Sequence, residues 1–368
     1  MKDKLYFNNL NGLRFIAALL VIISHLELNK SYFNEPNYFQ NIKELGRLGV
    51  SLFFVLSGFL ITYLLVKEKE KNGFIAIKNF YLRRIYRIWP LYYVIVLLSL
   101  FVLPHFIAFN IPHLKLNIES SFRLVLVVFL FVFFLTNVLV NIKLIPFATQ
   151  TWSIGTEEQF YLIWPLIIDK FNKLKPLFIG ILLVYNLLLF VFELGVVPEF
   201  KYFDLFKNFI HLFQLDSLTI GALGALLLNC KSILVRKITS IPIFILVLVI
   251  IILSVVFHLY FGFLASSSFA LLFIVVILNL VNHPKLIALL ENKTFNFLGK
   301  ISYGLYMYHQ IVIVFVLNFL LKYNIYNSFF LYVLSIGLTV LVAKISYRFL
   351  EQPFLIKKEK LATFNNQK

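Results

Sequence analysis

Apolar runs of about twenty residues, each closed by a short polar or basic stretch, repeat along the whole chain. They fall at 10–28, 47–66, 86–104, 121–141, 152–169, 177–195, 209–228, 241–258, 262–281, 300–321 and 328–350. About 20 apolar residues are what an α-helix needs to cross a hydrocarbon core of roughly 30 Å. The pattern predicts an all-α polytopic membrane helix bundle with no room for a sizeable soluble domain. It is read as a single transmembrane domain over 1–356 and a basic polar tail over 357–368. Neither an internal repeat nor a low-complexity tract is evident.

The polar stretches set the expected topology. Residues 67–87 (KEKEKNGFIAIKNFYLRRIYR) hold seven Lys or Arg against two acids. Basic connectors favour the cytoplasmic side, which places the N-terminus, with Lys2 and Lys4, inside as well. Further basic stretches at 169–175, 229–237, 283–293 and 357–360 put the C-terminus on the same side. Two inside termini require an even number of crossings, so one of eleven segments is a re-entrant or partial one. Segment 152–169 is the weakest, because Glu157 and Glu158 at mid-span need a protein-lined or watery surround. A broken 86–104 or 121–141 would repair the parity equally well. About ten full crossings are therefore expected.

Composition reinforces the membrane reading. Of the residues 61% are hydrophobic, and 43 Phe with 19 Tyr suit a lipid-facing surface with aromatic belts. The net charge of +17 raises nucleic acid as a partner, but the basic residues sit in connectors, where they act as topology signals and touch anionic lipid heads. The single cysteine, Cys230, leaves no internal disulfide and no Cys-rich metal site. No small-residue cleavage site follows the first apolar run, so it is expected to stay as a helix.

Within its apolar body that first run carries an arginine and a histidine, Arg14 and His25. Eleven helical steps are three turns plus about 20°, so both lie on one face, roughly 16 Å apart along the axis. Polar residues inside a membrane mark a pathway or a reaction site. The structural alternative is an Arg and a His snorkelling from opposite helix ends.

Further along come GRLGVSLFFVLSGFLIT at 46–62, FYLRRIYRIWPLYY at 80–93 and TWSIGTEEQFYLIWPL at 151–166. QLDSLTIGALGALL at 214–227, ISYGLYMYHQIVI at 301–313 and SYRFLEQPF at 346–354 complete the set. In this order, from Leu10 to Phe354, the chain resembles the membrane-bound acyltransferase-3 family. Arg14 and His25 match that family's intramembrane Arg-x10-His signature, Arg84 and Arg87 its Arg-x-x-Arg element, and Glu157 the carboxylate of its Trp-Ser-x-x-x-Glu stretch. The resemblance implies an O-acyltransferase of the cell (inner or plasma) membrane. It would move an acyl group, commonly acetyl from cytoplasmic acetyl-CoA, onto a hydroxyl of a surface glycan or a lipid-linked sugar. The extracytoplasmic hydrolase-like domain of some members is expected to be absent. Ser51 stands where many members have an acidic residue and receives no catalytic role. Gln214 stands where an arginine is frequent, which weakens the case for Asp216.

Acyl transfer to a hydroxyl needs a base, charge stabilisation, a donor site and exclusion of water. His25 is the candidate general base, with an unperturbed pKa near 6.5; a covalent acyl-histidine is the other route, and the sequence leaves both open. Glu157 is the leading partner for Arg14 or His25, or else a structural ion-pair member. Arg84 and Arg87, three apart, share a helical face with Arg83 about 100° away, and guanidinium forks suit the phosphates of CoA. Their structural alternative is anchoring at lipid heads. His309, Tyr303 and Asp216 are further pathway candidates. Arg348 and Glu351 read as a helix-end ion pair, and Ser57 and Gly58 as small residues for close packing. No metal is expected, since His105, His113, His258 and His283 lack ligand spacing. A transporter or proton-coupled channel, or a non-catalytic scaffold, would use the same intramembrane polar residues.

Overall fold

The computed structural model describes residues 10–33, 35–36, 42–112, 121–140, 147–197, 202–228, 233–257, 259, 262–283, 286, 290, 292–325 and 327–357. Cys230, His113, His258, Lys2, Lys4 and the tail from 358 lie outside them. The described regular structure is helical throughout. In chain order the α-helices are α1 (Leu10–Lys30), α2 (Ile42–Asn72), α3 (Ile77–Leu97), α4 (Ser121–Val132), α5 (Thr136–Leu139) and α6 (Thr151–Lys170). There follow α7 (Leu174–Glu193), α8 (Phe203–Phe213), α9 (Leu215–Leu227), α10 (Ile233–Ile238), α11 (Ile241–Val256) and α12 (Ala265–Asn282). The last three are α13 (Lys293–Lys300), α14 (Ser302–Lys322) and α15 (Ser328–Ser346).

Every one of the eleven apolar segments contains helix. Among the described residues, eight helical stretches are long and apolar enough to cross a membrane. They are Leu10–Phe33, Glu44–Asn72, Ile77–His105, Leu174–Glu193, Phe203–Leu227, Gly262–Asn282, Ser302–Lys322 and Ser328–Lys357. The apolar helices Phe122–Val132 and Ile241–Val256 are shorter. α6 is an unbroken twenty-residue helix, but Glu157, Glu158 and Gln159 lower its hydropathy and it stands outside the eight. α7 presents Leu183, Val184 and Leu187 outward at 60–69% exposure, an apolar face suited to lipid tails rather than water. The third span begins earlier than its apolar core: α2 continues to Asn72 and α3 starts at Ile77, so Arg83, Arg84 and Arg87 are helical.

The helices form two compact units. One comprises residues 1–20, 47–75 and 163–300. Here α2 and α9 approach so closely that a Cβ on Gly58 would overlap the Leu218 carbonyl and one on Gly221 the Val55 carbonyl. Without a hydrophobic force between helices in lipid, such backbone approach is a main source of association. Gly221→Val is therefore expected to lower the thermal midpoint of the purified protein, a cost of about 1–3 kcal/mol from overpacking; an unchanged midpoint would mean that α9 shifts freely. Gln214, with φ +40°, makes the break between α8 and α9. Just beyond it the fully buried Asp216 carboxylate accepts from Ser266 (2.9 Å) and Ser267 (2.7 Å) of α12. Ser51 Oγ and Ser217 Oγ are also in hydrogen-bond contact (3.1 Å).

The other unit comprises residues 21–46, 76–162 and 301–368. α14 runs through it and buries most of its side chains, packing along α15. The last turn of α1 is fixed by polar contacts: Lys30 Nζ donates to Glu27 (2.6 Å) and Ser328 (3.1 Å), and the Tyr332 hydroxyl donates to Glu27 (2.6 Å). The ion pair expected between Arg348 and Glu351 is not formed. Residues Tyr347–Glu351 are a π-helical turn, and the wider turn takes the i,i+3 pair off one face. Arg348 lies against the Phe349 ring instead, while Glu351 is buried beside Ser346.

Candidate active site

α1 brings His25, half-buried, to face His309 of α14, which is fully buried. The His25 Nδ1 and His309 Nε2 atoms are 3.0 Å apart, and the rings meet at 37° with centroids 4.9 Å apart. His309 Nδ1 lies 2.6 Å from the Tyr306 carbonyl oxygen. A carbonyl only accepts, so Nδ1 of His309 carries the hydrogen. In a neutral ring Nε2 then has the lone pair. His25 must therefore donate to it from its own Nδ1, which leaves the lone pair of His25 on Nε2. The Val21 carbonyl, one turn earlier on α1, also hydrogen-bonds the His25 ring. Two rings and the Tyr306 carbonyl thus fix the tautomer of the outermost imidazole.

The surrounding shell is polar and tied together. Asn29 Nδ2 donates to the His25 carbonyl (2.7 Å) and to Gln310 Oε1 (3.0 Å), locking the last turns of α1 to α14. Gln150 Nε2 donates to the carbonyls of Phe147 (3.0 Å) and Met307 (2.9 Å). The Tyr306 hydroxyl lies 2.7 Å from Ser153 Oγ and donates to the Gln150 carbonyl (2.9 Å). These contacts hold the start of α6 against the turn of α14 that carries His309.

A second group of candidate side chains lines α3 and α6. Trp89 Nε1 donates to Glu158 Oε2 (3.1 Å), and the Tyr161 hydroxyl donates to Glu157 (3.1 Å). The Arg84 guanidinium stands over the rings of Phe80 and Tyr161, each centroid 5.5 Å away. The Tyr303 hydroxyl donates to the Ile88 carbonyl (2.9 Å), fastening α14 to α3.

Among the sequence-derived candidates, His25 and His309 are in direct contact. Tyr303, Glu157 and the three arginines belong to the same unit. Glu157 bonds Tyr161. Arg14 and Asp216 are in the unit formed by residues 1–20, 47–75 and 163–300, where Arg14 donates to Asn11 (3.2 Å). No group of three or more His, Cys, Asp or Glu suited to a metal occurs among the described residues. Sequence reasoning did not single out Gln150 or assign a role to Glu158. Glu158 stands next to Glu157 in the same motif, and only its Trp89 contact separates the two; Gln150 precedes α6 and has no periodic signal.

Comparison with known proteins gives this geometry a context. A profile described as "Acyltransferase domain" matches residues 7–348. A protein of Staphylococcus aureus (strain COL) provisionally named an O-acetyltransferase is 30% identical over 393 residues, covering 99% of this chain and 59% of its own length. O-acetyltransferase OatA of Staphylococcus aureus (strain NCTC 8325 / PS 47) is 30% identical over 387 residues, covering 98% and 59%. The chain thus spans about three fifths of the length of the curated relatives it matches. No solved structure matches it significantly.

Proposed function

The chain belongs to the acyltransferase-3 family, and from that membership we propose that it is a membrane O-acetyltransferase with His25 as general base. The observation that carries this reading is the His25–His309 contact, which presents the His25 Nε2 lone pair at the edge of a buried polar cluster. His25 Nε2 takes the proton of the acceptor hydroxyl as that oxygen attacks. The resulting imidazolium keeps its Nδ1–H directed at His309 Nε2, so the ring does not have to turn. A neutral Nε2 would equally begin an acyl-histidine route, but the fixed lone pair suits proton transfer without a covalent stage.

Acetyl-CoA supplies the thioester acyl group. The fit of this chain to it rests on α3: Arg84 Nε is buried with no hydrogen-bond partner among the described residues. Arg83, Arg84 and Arg87 together offer guanidinium donors to the CoA moiety from the first half of α3. Tyr303 and Glu157 steady that wall through Ile88 and Tyr161. Arg14, on the same helix as His25, and Asp216 are assigned supporting roles along the bundle. The acceptor is a surface glycan or lipid-linked sugar, and the membrane is the cell membrane. Both termini are cytoplasmic, with about ten crossings and α6 as the partial segment. Family membership favours this enzyme reading over a transporter.

Transfer of radiolabelled acetyl from acetyl-CoA to surface glycan in membranes, with and without the expressed chain, tests the reading. Label in glycan only with the chain is expected; its absence, with the protein verified in the membrane, would overturn the activity. Orientation is tested separately. Cysteines placed at 170–175 are expected to resist an impermeant thiol reagent applied from outside, and labelling there would reverse the topology.

A further inference from the structure

We propose that the seam between α3 and the first half of α6 receives the pantetheine arm of the acyl donor, with one amide of that arm bridging Arg84 and Glu158. This rests on the acyl-CoA reading above. Three contacts define the seam: Tyr81 to the Leu162 carbonyl (2.6 Å), Arg84 over the Tyr161 ring (5.5 Å) and Trp89 to Glu158 (3.1 Å). Residue numbers rise on α3 as they fall on α6, so the two helices are antiparallel here. From Arg84 to Trp89 the axis advances roughly 7.5 Å, and from Tyr161 to Glu158 roughly 4.5 Å.

Within this seam two charged side chains each leave one buried atom unsatisfied. Arg84 Nε–H has no acceptor and Glu158 Oε1 has no donor. Each such group costs about 1–3 kcal/mol or more. They carry opposite charges, yet they form no ion pair with each other. Arg84 instead stands over the Phe80 and Tyr161 rings, and Trp89 bonds the carboxylate through its other oxygen. A ligand that satisfied both would need one acceptor for Arg84, one donor for Glu158 and an otherwise apolar body against aromatic rings.

A trans secondary amide meets those requirements, because its C=O and N–H point in opposite directions from adjacent atoms. Pantetheine carries two such amides on an alkyl chain. A phosphate would satisfy Arg84 but would be repelled by Glu158, so the phosphates of the donor belong beside Arg87 rather than in the seam. A sugar would bring many hydroxyls to a place that offers one donor and one acceptor, leaving the rest unpaired.

Glu158→Gln is the informative change. Trp89 Nε1–H still requires an acceptor, so the new amide turns its oxygen to Trp89 and puts its NH2 where Oε1 was. The fold contact survives while the acceptor becomes a donor. Calorimetric titration of coenzyme A and of pantetheine into the full-length protein in detergent reads the effect. Glu158→Gln is expected to weaken both ligands about tenfold, the scale of a hydrogen bond to a charged group. Arg84→Lys keeps the charge but removes Nε–H, and is expected to weaken both similarly. Arg87→Ala is expected to weaken coenzyme A alone. Unchanged pantetheine affinity in a Glu158→Gln protein with the wild-type thermal midpoint would overturn the proposal, as would a rise confined to the KM of the glycan. Failure of the wild type to bind coenzyme A at all would instead overturn the acyl-CoA reading, and this assignment with it.

Discussion

His25→Ala is expected to lower the rate of acetyl transfer by roughly 10²–10⁴-fold, the range that a positioned general base contributes. The effect should fall on kcat. On the proposed reading Nε2 acts on the acceptor hydroxyl and α3 holds the donor, so the KM for acetyl-CoA should stay close to wild type. The helix should also survive, because Asn29 bonds the His25 backbone carbonyl and not its ring. Initial rates with purified protein at matched amounts, over a range of acetyl-CoA, check both halves. Full turnover in the Ala variant would remove His25 from the chemistry while leaving the family membership untouched.

The second large effect concerns His309, which on the proposed reading acts through His25 as a positioning residue. Its Nε2 is the acceptor that keeps the hydrogen of His25 on Nδ1. His309→Leu removes that acceptor and leaves the ring of His25 held by the Val21 carbonyl alone among these two partners, so its orientation and the place of its hydrogen are less fixed. The imidazolium formed during transfer also loses its partner. A fall in kcat of about a hundredfold or more is expected, with the KM for acetyl-CoA unchanged. His309→Gln presents a side-chain oxygen at the same depth and is expected to restore most of the rate. A merely structural histidine would predict the reverse: equal losses in both variants, tracking a lowered thermal midpoint.

The sequence carried the first half of this pair and not the second. Arg14 and His25 sit on one helical face, and the period of an α-helix alone shows it. The partner of His25 lies 284 positions away, and no local pattern announces which of several intramembrane polar residues will meet it. His309 was visible as a histidine in an apolar run, but a bond to a neighbouring hydroxyl would have explained it as well. In the structure its partners are a second imidazole and a carbonyl. The basic stretch at 67–87 shows a different limit. Its charges mark a connector by hydropathy, yet helix formation does not require apolar residues, and α2 and α3 run into it from both sides until only residues 73–76 separate them. The π-helical turn at Tyr347–Glu351 likewise has no signature in the spacing of Arg348 and Glu351, and it alone undoes their expected pairing.

The buried carboxylate of Asp216 bears on how the chain is made. Its hydroxyl donors, Ser266 and Ser267, lie 50 and 51 residues later. At a synthesis rate of about 5–20 residues per second, α9 leaves the ribosome roughly 3–10 s before α12 exists to satisfy its acid. A carboxylate facing lipid for that time is costly. α9 is therefore a poor insertion unit by itself: it has to wait beside the insertion machinery and enter the bilayer in company with α12. A nascent chain cut short before Ser266 should accordingly be retained there or degraded, whereas one extended past α12 should be released.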